Sequence, residues 1–272
     1  MNKKPYAIFM DIDGTLLNSN HEIEPKTLET LRYLEKQGHQ LFIATGRMYF
    51  FAQKMANKIS NATNFIASNG AIAKIYDQII TNPLSIDSSL QMYKIAKKTQ
   101  LPLFFFSQTN VYYTDILPVY FNDDDRERIG DEKQRKLIKI NTVTELENIS
   151  EPLLNGIIIS ENNAQKLQLA SEKLMQFENL AVSSSASNNI ELTQININKA
   201  TAIHQALSSL EIPRQRTIAF GDGNNDIEML KYVQHGIAME NAPMSVKNIA
   251  SAITTSNNEE GIHKFLTNFF KL

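Results

Sequence analysis

Apolar and polar positions follow two different rhythms along this chain. A short apolar run over residues 6–10 reads as a strand. After a polar connection over 16–23, Pro25 stands where a helix can begin. Leu28, Leu31, Tyr33 and Leu34 form its apolar stripe, and Gly38 ends it. Residues 40–44 read as a second strand, 48–59 show helical spacing again, and 65–67 make a third strand. Strand, helix, strand, helix, strand predicts a parallel sheet with helices on its faces.

Near residue 83 the rhythm changes. A helix over 87–99 leads into strand-like runs at 101–107 and 111–114, and the polar turn Gln108-Thr109-Asn110 between them predicts a hairpin. The stretch 122–136 is crowded with charges of both signs and reads as a solvated loop or helix face. Strands at 156–160, 180–184 and 189–193 and a helix over 163–177 then suggest antiparallel strands with two helices on one face. From Lys199 the first rhythm returns: a helix to about 210, a strand at 216–220, a helix from 226, a strand at 236–239, a short helix after Pro243, a strand at 252–255 and a helix to 270. The expected fold is therefore α/β. Residues 1–83 and 190–272 form a doubly wound, parallel, Rossmann-like core, and 84–189 an α/β domain inserted into it.

The first strand ends in Asp11-Ile12-Asp13-Gly14-Thr15. Alternation along an extended chain predicts Asp11 and Asp13 on one side and Ile12 on the other, with Gly14 turning the chain after the second acid. Two like charges that close repel. The cost falls if a cation sits between them or one keeps its proton. Thr45-Gly46-Arg47 ends the second strand, Lys199 opens a helix, and Gly221-Asp222-Gly223-Asn224-Asn225-Asp226 follows a later strand. Each alone has a plainer reading, as a turn, a strand end, a solvent-facing lysine or a helix cap. In an open parallel sheet, however, ligands bind beyond the carboxyl ends of the strands where strand order reverses, so these distant stretches are expected to converge on one crevice. A lysine in the first turn opposes the helix dipole at a cost of roughly 0.3–1 kcal/mol when exposed. That placement suits a lysine held for an anion. The set is rich in oxygen and contains neither histidine nor cysteine, which favours a hard cation such as Mg²⁺ over zinc.

Composition narrows the partners. The 272 residues are 42% hydrophobic, enough for two packed domains or one large one. A formal charge of −2 offers no basic footprint for nucleic acid or an anionic membrane. The absence of cysteine excludes disulfides, thiolate metal sites and a cysteine nucleophile. The longest strongly apolar run, 101–106, falls far short of the ~20 residues that span a bilayer. The amino-terminal apolar run meets Asp11 too early for a signal peptide, and the expected location is the cytoplasm. The five histidines show no metal spacing.

With the Asp11, Thr45, Lys199 and Asp222 stretches in this order, the chain closely resembles the haloacid dehalogenase superfamily of phosphatases, and within it the Cof-type group with a large cap between the second and third motifs. The resemblance covers essentially the whole chain and implies that 84–189 is the cap, which selects the substrate. It implies Asp11 as a nucleophile that forms an aspartyl-phosphate and Asp13 as general acid and base. It also implies Mg²⁺ held by the side chains of Asp11 and Asp222 and the backbone carbonyl of Asp13, with Asp226 and Asn225 supporting the site. Thr45, with the amides around Gly46, would bind the phosphoryl oxygens, and Lys199 would offset their charge. Arg47 and Asn69 are candidate contacts to substrate or phosphate. The family usually places glycine after the lysine, where this chain has Ala200. Met239-Glu240-Asn241-Ala242 and Ser256-Asn257-Asn258 with Gly261 read as turns near the site.

The implied activity is hydrolysis of small phosphorylated metabolites, hexose phosphates first, with flavin mononucleotide and pyridoxal phosphate open. Phosphomannomutase-like transfer is the enzymatic alternative. A phosphate-sensing regulator on the same fold is the other, although it would be expected to lose Asp11 or Asp13. Neither oligomeric state nor substrate is legible.

Overall fold

The computed structural model describes residues 4–115, 136–160, 162–184 and 187–272. Of the charged stretch 122–136, all but Lys136 lies outside the described residues. The chain opens with β1 (Ala7–Met10), α1 (Pro25–Lys36), β2 (Gln40–Ala44), α2 (Tyr49–Ile59), β3 (Asn64–Ala67), β4 (Ile72–Ile75) and β5 (Gln78–Thr81). Next come α3 (Ile86–Thr99), β6 (Leu103–Phe106), β7 (Val111–Tyr113), β8 (Leu137–Lys139), α4 (Val143–Glu147), β9 (Asn155–Ile159), α5 (Ala164–Leu174), β10 (Leu180–Ser183) and β11 (Asn189–Gln194). It closes with α6 (Lys199–Leu210), β12 (Thr217–Gly221), α7 (Ile227–Tyr232), β13 (His235–Ala238), α8 (Met244–Lys247), β14 (Ala252–Ile253) and α9 (Gly261–Phe270).

These elements cluster into two compact units. One takes the chain up to Arg47, Ala52–Ile80 and Asn198–Leu272, and the other takes Met48–Phe51 and Thr81–Ile197. The expected change at 83 falls close to Thr81. The expected return at 190 does not match, because β11 pairs with β9 and β10 and so keeps the second unit running to Ile197.

The first unit is built on a sheet of order β14-β13-β12-β1-β2-β3-β4-β5. All four residues of β1 are fully buried, which explains their unbroken apolar run: a parallel strand covered on both faces has no solvent side to alternate toward. β1 pairs in parallel with β2 on one side and β12 on the other, Ala7 standing opposite both Gln40 and Thr217. Strand order thus reverses beside β1, and the switch places the expected ligand site at the carboxyl ends of β1, β2 and β12. β4 turns back antiparallel onto β3, so the sheet continues through a β4–β5 pair that the sequence pattern did not predict. On α1 the buried positions are Thr27, Thr30, Leu31 and Leu34, spaced for one helix face. Tyr33, assigned to that stripe from sequence, is half exposed.

The second unit holds a sheet of order β10-β11-β9-β6-β7-β8. Its described pairs are antiparallel except β7 with β8, which is parallel. Leu103 and Phe105 pack with Met92, Ala96, Leu146, Leu167 and Leu174 from α3, α4 and α5, so three helices contribute to this core where two were expected. Phe104 and Phe106 point the other way and pack with Val111 and Ile159. Burial on both faces is why 103–106 reads as one unbroken apolar run. Among the described residues no helix is long and apolar enough to cross a membrane.

Candidate active site

The site grows from the end of β1. Asp11 keeps one ladder contact, its N–H donating to the Phe220 carbonyl at 3.0 Å. The chain then folds around a single oxygen: the Ile12 carbonyl accepts from the amides of Thr15, Leu16 and Leu17 at 3.4, 3.0 and 2.9 Å. This turn ends the strand geometry at Met10, so the alternation expected to place Asp11 and Asp13 side by side does not operate. Asp11 is buried while the Asp13 side chain is about half exposed at 48%. Gly14 has φ +73°, and a Cβ there would overlap the Asp222 carboxylate, so backbone conformation and close approach both require glycine.

Three distant segments meet beneath this turn. Lys199, the first residue of α6, is fully buried, and its Nζ donates to Asp11 Oδ1 and to Asp226 Oδ1, both at 2.6 Å. Its backbone is fixed by a reciprocal cap, in which Asn198 Oδ1 accepts from Thr201 N and Thr201 Oγ1 accepts from Asn198 N, each at 3.0 Å. Ala200, where the family usually has glycine, packs in the same turn with 9% exposure. Asp226 Oδ2 accepts from the backbone N–H of Asp222 at 3.0 Å and of Gly223 at 2.9 Å, which ties the loop after β12 to the lysine. Asp222 Oδ1 accepts from Thr15 Oγ1 at 2.7 Å, and its Oδ2 accepts from Asn241 Nδ2 at 3.3 Å.

One carboxylate oxygen from each of Asp11, Asp222 and Asp226 lies within 4.8 Å of the others. Burial pushes Asp11 well above the ordinary carboxylate range, and the charges of Asp226 and Asp222 push it further, against the pull of Lys199. Burial likewise pushes Asp222 up to about 6, opposed by the Thr15 hydrogen bond and reinforced by Asp226. For Lys199, burial alone would lower the ammonium, but Asp11 and Asp226 overcome it and hold the group charged. One ammonium faces three carboxylates, a deficit that a divalent cation would neutralise. The donors are all oxygen, with Asp11 and Asp226 buried and Asp222 half-buried, so the residues present fit a hard cation. Asp226 has Oδ1 committed to Lys199 and Oδ2 to two amides, which suits it to bracing the site.

The remaining predicted residues line the same end of the first unit. Thr45 is buried at the end of β2 and its hydroxyl accepts from Arg47 N–H at 3.0 Å, which leaves its own proton directed elsewhere. Arg47 does not stand alone: Nε donates to Asp13 Oδ2 at 2.6 Å and Nη2 to Asp13 Oδ1 at 2.5 Å. Asn69 sits at φ +51° and its Oδ1 accepts from Asn225 Nδ2 at 3.2 Å. A Cβ on Gly46 would lie 3.0 Å from that same Oδ1. Thus Asn69, Asn225 and Gly46 are neighbours, whereas the Asp13 carboxylate lies outside the cluster of Asp11, Asp222 and Asp226. Sequence reasoning assigned no role to Thr15, although it belongs to the Asp11 motif. It read Asn241 as part of a turn, whereas Asn241 also donates to the Gly14 carbonyl at 2.8 Å and so clamps the Asp11 loop to Asp222.

A profile of the haloacid dehalogenase-like hydrolases matches residues 8–266. The chain belongs to that family. Its members include relatives named as phosphatases. One is the 5-amino-6-(5-phospho-D-ribitylamino)uracil phosphatase YitU of Bacillus subtilis, 29% identical over 282 residues covering the whole of both chains. Another is the phosphatase YwpJ of the same organism, 27% identical, with 94% of this chain and 96% of the relative covered. A crystal structure of a haloacid dehalogenase-like hydrolase from Bacteroides thetaiotaomicron superposes with a TM-score of 0.83 at 26% identity, covering 98% of this chain and 100% of that one. This haloacid dehalogenase-like chain is a hydrolase with a mixed α/β fold on a parallel sheet, as expected from its motifs.

Proposed function

We propose that this hydrolase is a Mg²⁺-dependent phosphomonoesterase of small phosphorylated metabolites that works through an aspartyl-phosphate on Asp11. The observation that carries the reading is the buried Asp11 carboxylate, paired with Lys199 through Oδ1 and ringed by Asp222 and Asp226. An Asp11 oxygen attacks phosphorus as the bond from phosphorus to the ester oxygen breaks, and the Asp13 carboxyl gives its proton to the departing alkoxide. The Asp13 carboxylate then takes a proton from the water that attacks the phosphoryl group. Cleavage of the bond between Asp11 and phosphorus releases phosphate and restores both acids. Lys199 offsets negative charge on the phosphoryl oxygens, and Thr45 with the amides near Gly46 orients them. A Mg²⁺ ion held by Asp11, Asp222 and the Asp13 carbonyl, braced by Asp226, would supply further positive charge there.

We assign substrate selection to the second unit, Thr81–Ile197, as a cap, and the substrate class to sugar and polyol phosphates. The ribityl phosphate in the name of the YitU relative supports that class. The cysteine-free composition and a charge of −2 support a cytoplasmic small-molecule enzyme that binds neither nucleic acid nor membrane. The test is a phosphometabolite panel with specificity constants, beside Asp11→Asn. The variant is expected to keep the wild-type circular dichroism spectrum and to release no phosphate from p-nitrophenyl phosphate. Near-normal turnover by the variant would remove Asp11 as the nucleophile, and transfer that requires a bisphosphate activator would mark a mutase instead.

A further inference from the structure

We infer that Arg47 is a positioning residue for Asp13, setting the rotamer from which that acid serves the ester oxygen, and that it is not chiefly a ligand of the phosphoryl group. The inference rests on the proposed phosphatase reading. Nε and Nη2, the edge of the guanidinium best shaped for two oxygens of one anion, are both spent on the two oxygens of Asp13. The guanidinium projects from a fixed backbone. Arg47 N–H donates to Thr45 Oγ1 at 3.0 Å, and the Arg47 carbonyl accepts from Ser68 N–H at 2.8 Å. Asp13 has the opposite character: its side chain is 48% exposed, and an aspartate with that much freedom samples several rotamers unless something holds it.

Such an exposed ion pair contributes little to stability, so the gain from it is orientation. The Asp13 carboxylate is not one of the three that cluster, Asp11, Asp222 and Asp226, which leaves it to serve the ester oxygen in the proposed reaction. Arg47 therefore has to yield one oxygen of Asp13 at the moment of proton transfer while keeping the other. A bidentate pair can do this by becoming monodentate.

The test compares two esters of the same phosphoryl group. p-Nitrophenyl phosphate has a leaving group that departs without a proton, whereas glycerol phosphate needs one from Asp13. If Arg47 acts through Asp13, Arg47→Met lowers kcat/KM for glycerol phosphate more than for the nitrophenyl ester, by about tenfold or more, within the range general-acid catalysis supplies. Arg47→Lys, which keeps charge but not the fork, restores part of the loss. In an Asp13→Asn background the further effect of Arg47→Met on glycerol phosphate collapses, because the group it positions is gone. Equal losses on both esters, or a full Arg47 effect persisting without Asp13, would overturn the inference and make Arg47 a phosphoryl contact. Wild-type protein that hydrolyses neither ester would instead bring down the phosphatase reading itself, and the positioning role with it.

Discussion

Replacing Lys199 with methionine tests the electrostatics of the site most directly. The substitution keeps much of the side-chain length and removes the only cation bonded to Asp11 and Asp226 among the described residues. What remains is a pair of buried carboxylates with oxygens within 4.8 Å of each other, which at an effective dielectric near 20 repel by roughly 3–4 kcal/mol. Removing one partner of a buried ion pair costs about 3–5 kcal/mol in general, so the two routes agree. The sign of the pH dependence follows from the same charges. Burial already raises Asp11 above its unfolded value, and loss of the ammonium raises it further. A carboxyl raised in this way binds a proton in the folded protein that the unfolded chain has released. The stability it lends is present at low pH and lost as pH climbs through the folded value.

In metal-free protein, Lys199→Met should therefore be about 3–5 kcal/mol less stable than wild type near pH 8, with a visibly smaller deficit near pH 5. Urea denaturation followed by circular dichroism at both pH values measures it. Saturating Mg²⁺ should recover part of the loss, because a cation replaces some of the missing charge. A variant as stable as wild type near pH 8, or one whose deficit grows on acidification, would refute the account of a buried ammonium restraining two acids.

Two other perturbations probe separate links. Because burial raises Asp222 to about 6, protons should compete there with the proposed cation. Mg²⁺ binding measured by calorimetry should weaken about fourfold between pH 7.5 and 5.5 from this group alone, and excess chelator should abolish phosphate release until Mg²⁺ is restored; full activity in chelator would end the case for metal dependence. In the second unit, Glu151 accepts hydrogen bonds from Thr109 and Asn110 in the β6–β7 turn and from Tyr112. Glu151→Ala strips the nearly buried Tyr112 hydroxyl of its acceptor and should cost about 1–3 kcal/mol in urea denaturation, while a cost near zero would mean that the turn is held otherwise.

Much of this was readable from residues alone because the strands that carry the chemistry are short, apolar and ended by turn residues. β2 was predicted residue for residue, and Asp11, Lys199, Asp222 and Asp226 converge as their positions after strands and at a helix start implied. Other features were invisible for identifiable reasons. β8 is a three-residue, mostly exposed strand and α4 a helix of five, too short to establish a period. The bond from Thr15 to Asp222 and the pair of Arg47 with Asp13 depend on how loops face one another, which periodicity does not encode. The exposure of the Asp13 carboxylate, outside the cluster that Asp11 joins, is likewise not legible from alternation, which ends where the Ile12 carbonyl gathers the next turn.

The pairing of Ala7 with Thr217 has a consequence for how the molecule is made. During synthesis, β1 emerges early and finds β2 soon afterwards, but its other edge stays bare until β12 has left the ribosome. A nascent chain interrupted anywhere before that strand carries an unsatisfied edge open to aberrant pairing and lacks the Asp222 and Asp226 carboxylates that meet Asp11. Translation through β12 and the loop after it thus covers the second edge of β1 and brings the Asp222 and Asp226 carboxylates beside Asp11.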